Sequence, residues 1–184
     1  LDGLAVAAAA AVLTKNVPLA TCVVDTVRRH PAMLAQTALT ISHLSKGRFI
    51  LGLGSGELEN TVPYGFDFRK PVSRFEESLK VIKLLWESDG PVDFEGEFYH
   101  LEHARLDTEF YDGKAPPIWI GSAGPRNLGI TAGTIIENVL GTRFADRITG
   151  NEADNRIEAG AGDDVLDGSD GVDTAVYATA SQAV

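Results

Sequence analysis

The segment GLGSGELEN, residues 52–60, closes an apolar run and sets Glu57 and Asn60 in the loop that follows it. A carboxylate just past a buried strand, partly withdrawn from water, holds a proton more readily and can exchange it. The same residue can equally serve as a loop or helix cap. A second segment, GSAGP at 121–125, offers free backbone N–H groups ahead of an expected helix, a cradle for an anion such as phosphate. A plain strand-to-helix turn is the competing reading. A third pattern lies in the last fifty residues, where Asp146, Asn155, Asp164 and Asp173 recur every nine positions. Ca2+ is a hard cation that takes oxygen ligands, and each nine-residue row offers a side-chain oxygen plus backbone carbonyls.

The elements that must position these groups alternate. Asp2 can cap an Ala-rich helix over residues 3–15, and VPLATCVVD (17–25) suits a strand buried on both faces. Pro31 opens a second helix with Leu34, Ala38, Ile41 and Leu44 on one face, and Gly47 ends it. RFILGLG is a second strand. Ser73 and Glu76 read as a capping box before Phe75, Leu79, Ile82 and Trp86 at helical spacing. PVDFEGEFYHLEHARL alternates and turns at Gly96, as a hairpin does. PPIWIGSAG is a third strand, and PRNLGITAG opens a helix. This order implies parallel βαβ units with strands near 17–24, 48–53 and 117–121. Ligands then gather in the loops at the carboxyl ends of those strands. GLGSGELEN is not a dinucleotide fingerprint, because Glu57 stands where a glycine is wanted and a long loop follows. Arg28 and Arg29 could pair with an anionic ligand or simply be solvated. The four histidines show no spacing for a metal, and His100 and His103 sit on the hairpin surface.

Composition narrows the classes. The 184 residues carry a net charge of −10, which leaves no basic surface for nucleic acid. Residues 134–184 hold ten Asp/Glu against three Arg, so the acidity belongs to the tail. The single cysteine, Cys22, excludes an internal disulfide framework. The apolar opening is too short to span a bilayer and lacks the basic start of a signal peptide. It reads as a helix cut into at its N-terminus, so the chain is expected to be a fragment. Residues 1–133 and 134–184 are expected to form separate parts.

In order, RRHPAMLAQTALTISHLSKGRFILGLGSGELEN, PYG, SRFEESLKVIKLLWES, VDFEGEFYHLEHARL and PPIWIGSAGPR resemble the luciferase-like monooxygenase superfamily. The likeness is strongest to the branch that uses the deazaflavin coenzyme F-420. It implies a (β/α)8 barrel that passes a hydride between the deazaflavin, or FMN in other branches, and an alcohol, ketone or imine-like carbon. It implies a non-prolyl cis peptide at Cys22–Val23 behind the cofactor ring, an acidic active-site residue at Glu57 and a cofactor-contacting amide at Asn60. Ser122, Ala123 and Gly124 would bind the cofactor phosphate through their backbone amides. Three strands of eight leave a partial barrel with open sheet edges, which could support self-association.

From Gly141 the rows GTRFADRIT, GNEADNRIE, AGAGDDVLD and GSDGVDTAV resemble the hemolysin-type (RTX) nonapeptide repeat. That resemblance implies a parallel β-roll with Ile148, Ile157, Leu166 and Ala175 inside. Calcium would sit between alternate rows, on Asp146 with Asp164 and on Asn155 with Asp173. An acidic disordered tail is the alternative. The expected whole is α/β: a partial TIM-type barrel followed by a short β-roll. Two functions follow, a deazaflavin-dependent oxidoreductase module or a non-catalytic calcium-binding roll carrying a barrel fragment. The first implies a cytoplasmic location and the second a secreted one.

Overall fold

Asp2 starts the first helix: its Oδ1 accepts the N–H groups of Leu4 (3.0 Å) and Ala5 (3.3 Å), and α1 runs Gly3–Leu13. The computed structural model describes residues 1–121, 127–129, 138–141, 145–150 and 154–177. It divides into two compact units, Leu1–Pro116 and Pro117–Val184. The expected division fell after residue 133.

In the first unit, α1 is followed by β1 (Leu19–Ala20) and β2 (Val24–Asp25), with the bend between them at the cis peptide Cys22–Val23. The run expected as one strand is therefore two short ones. Both pair in parallel with β3 (Phe49–Gly54), Leu19 against Phe49 and Val24 against Leu53. Phe49, Leu51 and Leu53 are fully buried, as a strand covered on both faces requires.

Helix α2 (Pro31–Ser45) buries Leu34, Ala35, Ala38, Leu39 and Ile41, whereas Leu44, expected on that face, is exposed. It ends with Lys46 in the left-handed region and Gly47 (φ 77°), whose N–H donates to Ser42 O. Helix α3 runs Pro71–Glu87 and starts two residues before Ser73, so the expected capping box does not form. Pro71 has the backbone φ a first helical position needs, and Lys70 before it is left-handed. Phe75, Leu79 and Ile82 are buried and Trp86 half-buried, its Nε1 donating to Ala35 O at 3.3 Å across to α2. Arg48 donates to the carbonyls of Ala11 in the last turn of α1, of Thr14 and Val17 beyond it, and of Ser45 at the end of α2. One guanidinium thus satisfies the terminal acceptors of two helices. The antiparallel hairpin of β4 (Val92–Glu95) and β5 (His100–Ala104) forms as expected. His100 and His103 lie exposed on it, beside Glu95 and Asp93.

The second unit is a parallel roll. One sheet joins β6 (Ile118–Gly121), β8 (Asn138–Leu140), β10 (Arg156–Glu158) and β12 (Thr174–Val176). The other joins β7 (Asn127–Gly129), β9 (Arg147–Thr149) and β11 (Val165–Asp167). Successive strands alternate between the sheets, so Val139 pairs with Ile157, Ile157 with Ala175 and Ile148 with Leu166, each two nine-residue rows apart. The expected helix at PRNLGITAG is instead strand β7 where it is described. Val139, Ile148 and Ile157 are buried, Leu166 is half-buried and Ala175 is exposed, so the eighth position fills the core only through the earlier rows.

Candidate functional site

In the first unit the carboxyl ends of β2 and β3 meet. Gly56 (φ 84°) lies so close to the β2 end that a Cβ there would come 3.2 Å from Asp25 Cβ and 3.4 Å from Val27 Cγ2. Two loops therefore share one edge of the sheet, the one carrying Asp25–Arg29 and the one carrying Glu57–Asn60.

Asp25 organises the first loop. Its Oδ1 accepts the backbone N–H of Val27 (3.1 Å) and Arg28 (2.8 Å), and its Oδ2 takes Arg28 Nε (2.8 Å) and NH2 (2.7 Å). Burial by itself raises the Asp25 carboxyl, but the Arg28 guanidinium and the two backbone amides outweigh it and hold the group below its ordinary value. The ion pair fixes Arg28 with 44% of its side chain still exposed. Sequence reading singled out Arg28 and Arg29 and missed Asp25; an Asx residue three before an arginine was the available signal. A carboxyl lowered by folding adds stability above its unfolded value, near 3.9, and loses it as pH falls through the lower folded value. Asp25→Asn is thus expected to destabilise by about 2 kcal/mol at pH 7. That difference should shrink progressively below about pH 4. Urea midpoints of both chains across pH 2–7 check this; a difference independent of pH would remove the charged role of Asp25.

Glu57 is exposed rather than partly withdrawn from water, and its Oε2 accepts Asn60 Nδ2 at 2.8 Å. The two residues expected to act in one loop are thus hydrogen-bonded to each other. Thr61, fully buried, donates its hydroxyl to Glu57 O at 2.9 Å and fixes the backbone of that turn. Arg29 pairs with Asp2. A cavity of about 940 Å³ is lined by Val6 and Ala10 of α1, Thr21, Cys22, Val23 and Arg28 among others. Its size and its combination of apolar wall and anchored cation suit a flat ring system carrying an anionic tail. Ser122, Ala123 and Gly124 lie outside the described residues.

In the second unit, the Asp164 carboxylate accepts Asp146 N–H at 2.8 Å, and the Asp173 carboxylate accepts Asn155 N–H at 2.9 Å. The paired rows are the expected ones. Asp146 and Asn155 are buried, and Asp173 is exposed. Among the described residues no group of three or more His, Cys, Asp or Glu could hold a metal. Nor is any helix among them long and apolar enough to cross a membrane. The sequence reading began the rows at Gly141 and missed the one before it, AGTIIENVL, whose eighth residue is Val139 of β8. Its opening Ala-Gly, shared with AGAGDDVLD, was the legible sign.

The family model for luciferase-like monooxygenase matches residues 1–181. The chain belongs to that family. Luciferase-like relatives include the phthiodiolone/phenolphthiodiolone dimycocerosates ketoreductase of Mycobacterium tuberculosis (strain ATCC 25618 / H37Rv), 45% identical over 120 residues, which are 65% of this chain and 32% of the relative. An F-420-dependent glucose-6-phosphate dehydrogenase of Amycolatopsis mediterranei (strain U-32) is 40% identical over 119 residues, 61% of this chain and 34% of the relative. Among solved structures, the FMN complex of the oxygenating constituent of 3,6-diketocamphane monooxygenase from Pseudomonas putida matches with a TM-score of 0.57 and 27% identity. That likeness covers 65% of this chain and 36% of the other. The chain spans about a third of the length of the curated relatives it matches. Its fold is the α/β fold of luciferase-like barrels in part.

Proposed function

We propose that this chain carries the cofactor-binding edge of an oxidoreductase that transfers a hydride between a deazaflavin, coenzyme F-420, and an alcohol, ketone or imine-like carbon. The observation that carries this reading is the 40–45% identity, over 119–120 residues, to a ketoreductase and an F-420-dependent dehydrogenase. In support, the loops after β2 and β3 adjoin at Gly56, and Arg28 of the first loop lines a cavity of suitable size with Cys22 and Val23. When bound, the deazaflavin would supply the hydride to a ketone or imine-like carbon, or take it up from an alcohol. Cys22 and Val23 would back its ring and Asn60 would contact it. Glu57 would hand over or take up the accompanying proton. FMN is the alternative, because a solved relative at 27% identity is an FMN complex. Titrating each cofactor into the chain while following its fluorescence separates them. Saturable binding of F-420 at least tenfold tighter than FMN is expected; the reverse order would transfer the reading to FMN, and no binding of either would end it.

The roll favours a second reading, calcium binding. Asp146 with Asp164 and Asn155 with Asp173 stand on paired rows, and the remaining oxygens would be backbone carbonyls of the turns. The Asp164 and Asp173 carboxylates each already accept a backbone N–H and one pair contains a neutral Asn, so affinity should be weak, on the order of 10⁻⁴–10⁻³ M. Circular dichroism in chelator and then in about 5 mM Ca2+ should show a gain of strand structure. Asp164→Ala should abolish it, and identical spectra in both conditions would discard calcium.

A further inference from the structure

The geometry points to Tyr99 as a positioning residue that holds the Asp25–Arg28 loop in place from the hairpin. The hairpin tip is first fixed to α3. The Glu77 carboxylate accepts the backbone N–H groups of Glu97 (2.9 Å), Phe98 (2.9 Å) and Tyr99 (2.6 Å). Gly96 leaves room for this contact, since a Cβ there would come 2.2 Å from Glu77 Oε1. The Arg74 guanidinium lies over the Phe98 ring, 4.7 Å from its centroid. The tip therefore has a set position on the helix.

From that base the Tyr99 side chain, 7% exposed, crosses to another element. Its hydroxyl donates to Thr26 O at 2.8 Å and accepts from Ser78 Oγ at 3.1 Å. The ring meets His30 edge-on at 5.3 Å, at the other end of the same loop. Thr26 is fully buried and its N–H donates to Gly54 O at 3.3 Å. The peptide groups on either side of Thr26 are thus tied, one to β3 and one to Tyr99. Asp25 and Arg28 flank that point, and Arg28 lines the cavity with Cys22 and Val23. A buried carbonyl that loses its donor is costly, so the loop should shift or open when the phenol is removed.

The consequence for ligand binding rests on the cofactor reading above; the positioning itself does not. The amides of Val27 and Arg28, both held by Asp25, report the loop directly. In the full chain, Tyr99→Phe is expected to speed their hydrogen exchange by about five- to tenfold and to weaken coenzyme F-420 binding by a similar factor. Ser78→Ala removes the other partner of the same hydroxyl and leaves the bond to Thr26, so both readouts should stay within about twofold. Equal effects of the two substitutions, or unchanged exchange in Tyr99→Phe, would overturn the inference. A chain that shows the exchange contrast but binds no deazaflavin supports the positioning role and removes the cofactor reading alone.

Discussion

Gly52→Ala is expected to prevent this chain from folding. A Cβ at Gly52 would stand 1.7 Å from Thr21 O and 2.8 Å from the carbonyl carbon behind it. Both are backbone atoms, so no rotamer change relieves the clash. The two strands cannot separate cheaply either. Thr21 Oγ1 donates to Gly52 O at 2.8 Å and accepts Gly52 N–H at 2.9 Å, both in the buried interior. Thr21 N–H also donates to Ile50 O at 3.3 Å. Admitting one methyl group means breaking this ladder and displacing β1 from Phe49 and Ile50, its partners on β3, of which Phe49 is fully buried. Destabilisation of about 4 kcal/mol or more, in the exceptional range for single substitutions, approaches the whole stability of a small domain. Gly3→Ala is the contrast. Nothing lies within 4 Å of its Cβ, and it opens α1, so the change should be neutral or stabilising by up to about 1 kcal/mol. Soluble yield and urea midpoints of the two variants check the pair. A folded Gly52→Ala chain with a midpoint near the parent's would contradict the close approach of β1 and β3.

Why the sequence discloses some of this and not the rest follows from how local each signal is. The strand at Phe49–Gly54, the helix opened by Pro31 and the hairpin turning at Gly96 are written in short-range patterns of burial and turn chemistry. Nine-residue spacing likewise predicts which rows of the roll pair, because Ile148 and Leu166 share a phase. The starting point of α3 was misread because Ser73 and Glu76 satisfy a local rule that Pro71 overrides two residues earlier. PRNLGITAG follows a strand in the alternating order and so reads as the start of a helix, whereas β7 pairs with β9, a partner from the repeat rows. At the site, Glu57 and Asn60 were legible as types in a loop after a strand. Glu77 and Tyr99 were not, since the groups they bind lie twenty or more residues away. No periodicity encodes a carboxylate aimed at amides of another element.

Glu57→Gln is expected to lower turnover by about 10²–10⁴-fold, the usual range for losing one acid/base group, with cofactor affinity nearly unchanged. The substitution suits the local geometry. The amide oxygen of Gln can still accept Asn60 Nδ2, and the backbone bond from the Thr61 hydroxyl to the residue-57 carbonyl does not involve the side chain. What disappears is the capacity to exchange a proton. Hydride transfer to a carbonyl carbon leaves an oxygen that must be protonated, and the reverse reaction must remove that proton. An exposed carboxylate with one amide partner is free to turn towards substrate, and its loop adjoins the one that lines the cavity. Activity is best measured with the remaining βα units of a full-length relative joined to this chain, since it spans about a third of such relatives. Asn60→Ala should instead weaken cofactor binding and leave the rate at saturation within about tenfold. Unchanged turnover in Glu57→Gln would discard the proton-transfer role. A matching loss of cofactor affinity would make Glu57 a binding group, because an acid/base residue acts on the chemical step and leaves the bound cofactor in place.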